Sequence, residues 1–288
     1  MPIDYGWIES HVGRVEELNK AQFLKERDLY RRAAELIVEP FEALAEAQLS
    51  RTGGTEDSRT AQLLAITRMF NDFEAAKNLI LLGYGDQAYM PMRDSVECMM
   101  MSRLFRRSPK RASRWLIGMK NLSPDQVNQW LIEEGEDAFE YNFYATLSQH
   151  AHANLIGCFR AVKEEKAPKG FLRRFTLGAV QDDDFSSLLF AELLSLMAIA
   201  LLAVLPPTYE PVMNDIAPWR RSRRALISDL HYMRTIFEQQ PDKNSSEEHR
   251  DSLSRWQEKV ILDKLGLQRL ERAVAELEGR SRDDTEVR

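Results

Sequence analysis

Cysteine is almost missing from this chain: Cys98 and Cys158 are the only two among 288 residues. That count excludes a disulfide framework, and the lack of CxxC or Cys/His spacing gives no zinc site. Both cysteines sit inside apolar helical pattern, which suits buried thiols in a reducing compartment. Glycine (13) and proline (11) are sparse, and no β-branched run bounded by turn signals reads as a sheet. Histidine is scarce too, at five. Three residues before His11, His150, His152, His231 and His249 stand Ile8, Leu147, Gln149, Ser228 and Ser246, none of them acidic. The Glu-x-x-His pairs of a di-iron bundle are therefore excluded, and no metal or cofactor is expected. The opening MPIDYGWIES has no basic stretch followed by an apolar one, so no secretory signal is expected and the cytoplasm is the expected location. Neither sign of charge dominates. Thirty-nine basic against forty-five acidic side chains leave −6, which argues against a chain built mainly to coat nucleic acid.

What is present is helical periodicity. Apolar residues recur at three and four, and 44% hydrophobic with 29% charged residues suits a large helical core. The expected fold is all-α: a helical bundle with a central apolar helix and an appended C-terminal amphipathic helix. Residues 1–57 read as N-terminal amphipathic helices, 58–241 as the main bundle, and 242–288 as the C-terminal helix with a frayed tail. A first helix is expected from Ser10 to Pro40, continuing to Leu49 after a bend. Ser58 is the expected cap of a helix ending at Gly83–Tyr84–Gly85, where glycine permits a left-handed stop. Asp86 opens the next helix, to Arg107, and Ser108-Pro109 and Ser123-Pro124 are cap-then-proline starts.

Residues 185–205, FSSLLFAELLSLMAIALLAVL, carry one charge, Glu192, and would reach roughly 31 Å as a helix, enough to span a bilayer. The internal Glu192 and the stripe of small residues Ser187, Ala191, Ser195 and Ala198 favour a buried helix of a soluble bundle over a membrane span.

Charge placed in apolar pattern marks candidate sites, because a buried charge is costly without a partner. Arg93 and Glu97 share a helix face among Met90, Met92, Val96, Met99, Met100 and Met101, either as a polar core pair or as a surface i,i+4 bridge. Tyr144, Ser148 and His152 fall at four-residue spacing, which aligns two hydroxyls and an imidazole for a hydrogen-bonded network. His150 diverges from His152 by roughly 200° on a helix, so the two cannot share a metal. Nothing resembles a strained Gly-x-Ser-x-Gly elbow, and a Ser/His nucleophile is not expected.

Arg220, Arg221, Arg223 and Arg224, interleaved with Trp219, Tyr232 and Phe237, form a basic aromatic stretch that could engage RNA phosphates, with a solvated helix face as the plainer reading. Arg224 and His231 have the Arg-x6-His spacing of some HEPN-type ribonucleases, although Ala225 stands where that pattern prefers a polar residue. In the last helix Leu253, Trp256, Val260, Leu267, Leu270, Val274 and Leu277 make an apolar stripe, a candidate homodimer contact.

Residues 73–107 resemble the helix pair of a bacterial all-helical family classed as a domain of unknown function. That family's pattern runs from an Ala/Leu helix through a glycine turn to Arg-Ser-x-x-Glu, then Tyr-x-x-Leu-Ser-x-x-x-His. Ala75, Leu79, Gly83, Ala88, Arg93 and Glu97 fit its first part, with Asp94 in place of serine; Tyr144, Leu147, Ser148 and His152 fit its second. The resemblance covers roughly residues 60–205. It implies that Arg93, Glu97, Tyr144, Ser148 and His152 converge in one helical site. Independently, a buried Glu192 needs a partner, and Arg93 or His152 is expected to supply it. Some members resemble helical phage-defence and toxin proteins. The expectation is a ligand-binding or interaction domain, with a metal-independent HEPN-like ribonuclease as the alternative.

Overall fold

A computed structural model describes residues 5–49, 56–118, 122–136, 140–151, 162–167, 170–175, 179, 183–210, 213 and 215–239, with side chains for most of them. The fold is all-α. Helices α1 (Tyr5–Gln22), α2 (Leu24–Leu49), α3 (Glu56–Leu81), α4 (Gly85–Arg107), α5 (Pro109–Leu116), α6 (Pro124–Glu133) and α7 (Glu140–Ala151) come first. They are followed by α8 (Asp183–Ile199), which runs on as a π-helical segment over Ala200–Val204, then α9 (Pro206–Tyr209) and α10 (Ala217–Gln239). Between α7 and α8 lies a hairpin, β1 (Val162–Ala167) and β2 (Gly170–Phe175), paired antiparallel with Glu164 opposite Arg173. No strand is expected there from the sequence, since six-residue charged strands lack the β-branched alternation that announces a sheet.

The described residues up to Tyr232 belong to one compact unit. Asn19 on α1 is fully buried and donates to the carbonyls of Ile80 (3.3 Å) and Leu81 (3.0 Å), satisfying carbonyls that end α3. The expected first helix is two: it breaks at Phe23, where the Arg27 guanidinium takes the Lys20 carbonyl at 2.9 Å. Phe23 turns inward instead, its ring 5.2 Å from that of Phe190. α2 runs through Pro40 to Leu49.

α3 and α4 form an antiparallel pair joined by a tight turn. Gly83 has φ 78°, and its N–H bonds Ile80 while that of Tyr84 bonds Leu79 at 2.8 Å, the glycine stop expected from the sequence. Ser58 does not cap α3, which already begins at Glu56; its hydroxyl instead donates to the Phe105 carbonyl at 2.5 Å, pinning the start of α3 to the end of α4. Of the two serine-proline starts, Ser123 accepts from Gln126 N at 3.3 Å, whereas Ser108 makes no side-chain cap.

The apolar helix packs inside the bundle. Phe185–Val204 is long and apolar enough to cross a membrane, and 61% of its most apolar window is buried, as in the core helix of a soluble protein. Leu189, Phe190, Leu193 and Met197 are wholly buried. Gly85 permits this packing: a Cβ there would lie 2.7 Å from Leu189 Cδ1 and from Phe185 Cε1. Gly85→Ala should therefore destabilise the protein by about 1–3 kcal/mol through overpacking, measured as a lower midpoint in urea; an unchanged midpoint would show that α8 yields at no cost.

Candidate functional site

The Arg93 region is a seam of charge between α3 and α4, with α7 against its side. Arg93 Nη2 meets Asp94 Oδ1 at 2.8 Å, and its Nε stands 3.7 Å from Glu97 Oε1. From α3, Arg68 reaches Asp94 at 3.4 Å and Asp72 at 3.8 Å. From α7, Tyr144 stands beside Glu97, where its hydroxyl favours the charged carboxylate. The two halves of the expected site thus meet, but half-buried: Arg93 and Glu97 side chains are 21% and 29% exposed. Ser148, one turn beyond Tyr144, has a buried Oγ without a hydrogen-bond partner among the described residues. His152 lies outside the described residues. Glu192 is half-buried on α8, while the carboxylates that engage Arg93 are Asp94 and Glu97.

Three acids and two arginines in one seam leave the acids undercompensated. Burial pushes the Asp72 carboxyl up to about 6; Arg68 opposes the shift, and Asp94 and Glu97 add to it. Its buried Oδ2 has no hydrogen-bond partner among the described residues. Glu97 is raised by burial and by Asp94, against Arg93, Arg68 and the Tyr144 hydroxyl. Cys98, buried beside them, has its thiol pushed up to about 12 by burial and by Asp72, so it is inert as a nucleophile at neutral pH. Among the described residues no group of three or more His, Cys, Asp or Glu side chains is arranged to hold a metal ion.

The deepest charge lies elsewhere, where sequence reasoning did not look. Arg103 on α4 and Glu140 on α7, 6% and 1% exposed, pair through Nη1 at 2.6 and 2.5 Å to the two carboxylate oxygens. Arg103 Nη2 also bonds Glu136 at 2.6 Å, and Arg106 and Arg107 converge on the same carboxylate. Burial would raise Glu136, but hydrogen bonds from Arg103 and Arg107 hold it down at about 2. A signal existed: Arg103 continues the stripe of Met92, Val96 and Met99, all fully buried, at helical spacing.

The basic stretch is divided between core and surface. Trp219 is buried and donates to the Leu36 carbonyl at 2.9 Å. Arg223 is buried with its guanidinium 4.8 Å from the Trp219 ring centre and Nη1 3.4 Å from the Leu201 carbonyl. Neither is therefore offered to RNA, as the sequence reading had allowed. The packing stripe of α10 claims them, leaving Arg220, Arg221 and Arg224 exposed, with Arg220 bridged to Glu210 at 2.8 Å. The side chain of His231 lies outside the described residues, so its relation to Arg224 is not part of this geometry. The candidate dimer helix, residues 253–277, is also outside them.

Space for a ligand opens away from both charge clusters. A groove of about 990 Å³ runs between α1, α2 and α3, with Arg27, Tyr30, Ala34, Val38, Lys77 and Leu81 in its lining. No family model, curated protein or solved structure matches the chain.

Asp72 gives the seam a testable pH signature. Its carboxyl is raised from an ordinary 3.8 to about 6, so between those values the folded state holds a proton that the unfolded chain releases. Stability contributed at this position is accordingly lost as pH rises through that window. Asp72→Asn should be more stable than wild type at pH 7, by on the order of 2 kcal/mol, and equal to it below about pH 4. Denaturant titrations at the two pH values check this; a loss of stability at pH 7 would assign Asp72 a favourable ion pair instead.

Proposed function

We propose that this chain is a soluble cytoplasmic binding domain without catalytic machinery, in which the charged seam organises the bundle and the groove receives a small ligand. The observation that carries the reading is the groove itself. Its volume of about 990 Å³ falls at the upper end of the range of small-molecule sites, and its lining is mostly charged and polar, with Ala34, Val38, Leu81 and Leu82 as the apolar part, which suits a polar ligand. The seam fits the structural role. Its charges are engaged with one another across α3 and α4, and Tyr144 carries that network to α7. The proximity of Tyr144 to Glu97 supports reading the Arg93–Glu97 and Tyr144–Ser148 motifs as one unit that sets helix placement. A buried free thiol at Cys98 suits a reducing cytoplasm.

The test is a thermal-shift screen of small polar and amphipathic metabolites against wild type and Ala34→Trp, which fills the groove from its own wall. Compounds that stabilise wild type should leave the variant's melting temperature unmoved. Either an absence of stabilising compounds or equal shifts in both proteins would overturn the assignment.

A further inference from the structure

Charge is out of balance at the start of α10. Residues 217–228, APWRRSRRALIS, carry four arginines and no acid, at the end of a helix where the macrodipole disfavours cations. The acids nearby are already engaged. Arg220 takes both oxygens of Glu210, through Nε at 3.2 Å and Nη2 at 2.8 Å. Asp229 is bound by Arg32 of α2 at 2.7 Å, and Asp215 accepts from the Ala217 N–H at 3.2 Å. Arg221 and Arg224 are exposed and have no ion pair among the described residues.

Arg223 adds to the imbalance from beneath. It is 4% exposed, yet its Nη1 stands 3.8 Å from Glu210, beyond hydrogen-bond reach. Its buried Nε has no hydrogen-bond partner among the described residues. Burial lowers the Arg223 guanidinium from its ordinary value; Glu210 opposes the shift, and Arg220 and Arg224 add to it. Like charges gathered in this way repel until an anion joins them.

The exposed arginines share one face. Arg220 and Arg224 are four apart and Arg221 and Arg224 three apart, so their Cβ atoms are neighbours at about 5–6 Å. Ala217 and Ser228, four before and seven after Arg221, fall on the same side and are small and exposed, so nothing bulky shields the guanidinium groups. A helix face meets a ligand from one side only, which favours a chain of repeated charges over a single enclosed ion. None of the large apolar side chains exposed among the described residues lies on α10, so a peptide would find no anchor here. Trp219 is buried and is not available to stack on a base.

We propose that Arg220, Arg221 and Arg224 form a docking face for the phosphodiester backbone of a nucleic acid, held through its phosphates without readout of its bases. Guanidinium forks pair bidentately with phosphate oxygens, and the bound backbone supplies the negative charge that the fold leaves out around Arg223. This face is independent of the groove.

Fluorescence anisotropy of the full chain with a labelled oligouridylate of about 20 nucleotides tests this, in a salt series that starts low because phosphate contacts are screened. Three contacts to a single strand predict that log Kd rises with log salt at a slope of about 2. Arg221→Gln/Arg224→Gln should weaken binding about tenfold or more and cut the slope to about 0.7. Arg220 is left intact because it also holds Glu210. Since both substituted side chains are exposed, the midpoint in urea should stay unchanged. Lys110→Gln/Arg114→Gln, which removes two exposed cations of α5, should alter binding less than about twofold, and a polyglutamate of similar charge should bind at least about tenfold more weakly than the oligouridylate. No binding, indifference to Arg221→Gln/Arg224→Gln, an equal loss in the α5 variant, or equal binding of polyglutamate would overturn the proposal.

Discussion

A carboxylate buried as deeply as Glu140 is unfavourable unless something holds its charge, and Arg103 holds both of its oxygens. In a low-dielectric interior neither member can be withdrawn without stranding the other, at a cost of about 3–5 kcal/mol. The pair adds little net stability against an apolar substitute of the same shape. What it fixes is position: Glu140 is the first residue of α7 and Arg103 lies in the last turns of α4, so α7 has one place at which its N-terminus meets a partner. Glu136, gripped by three arginines just before α7, extends the same lock into the preceding turn.

From that lock follows the seam one turn away. Once Glu140 is anchored, four-residue spacing brings Tyr144 to Glu97 and Ser148 to the next turn of the same face. The seam joins helices through wet, half-buried charges whose individual worth is small, while the core beneath it does the packing. Leu189, Phe190, Leu193 and Met197 of α8 are sealed, and Gly85 lets α4 approach them closely. Two kinds of interaction therefore divide the work: apolar burial supplies cohesion, and buried charge supplies registry. The groove lies outside both, along α1, α2 and the end of α3.

Much of the architecture was legible because periodicity reports burial directly. The apolar stripe of α8, the glycine stop after Leu81 and the pairing of Arg93 with Glu97 all follow from spacing. Other features were not, for physical reasons. Phe23 breaks the first helix because a tertiary contact with Phe190 outweighs local propensity, which a one-dimensional pattern does not contain. Ser58 looks like a cap in sequence, yet its hydroxyl finds a carbonyl 47 residues away. Trp219 and Arg223 look like a nucleic-acid surface, because an arginine stem and an indole are amphipathic and serve core or surface equally well. Arg103 is a charge inside the Met92–Val96–Met99 stripe, but its partners Glu136 and Glu140 lie more than 30 residues away and share no local spacing with it. The groove has no sequence signature at all, being a property of how three helices diverge.

The central claim is that the buried Arg103–Glu140 pair places α7. Amide hydrogen exchange of Arg103→Met, followed by mass spectrometry, addresses it most directly, because protection can be compared helix by helix. The account expects protection to fall across Glu140–Ala151 while α3 and α8 keep theirs. Unchanged protection in α7 would contradict it, and would mean that apolar packing alone sets the helix against α4.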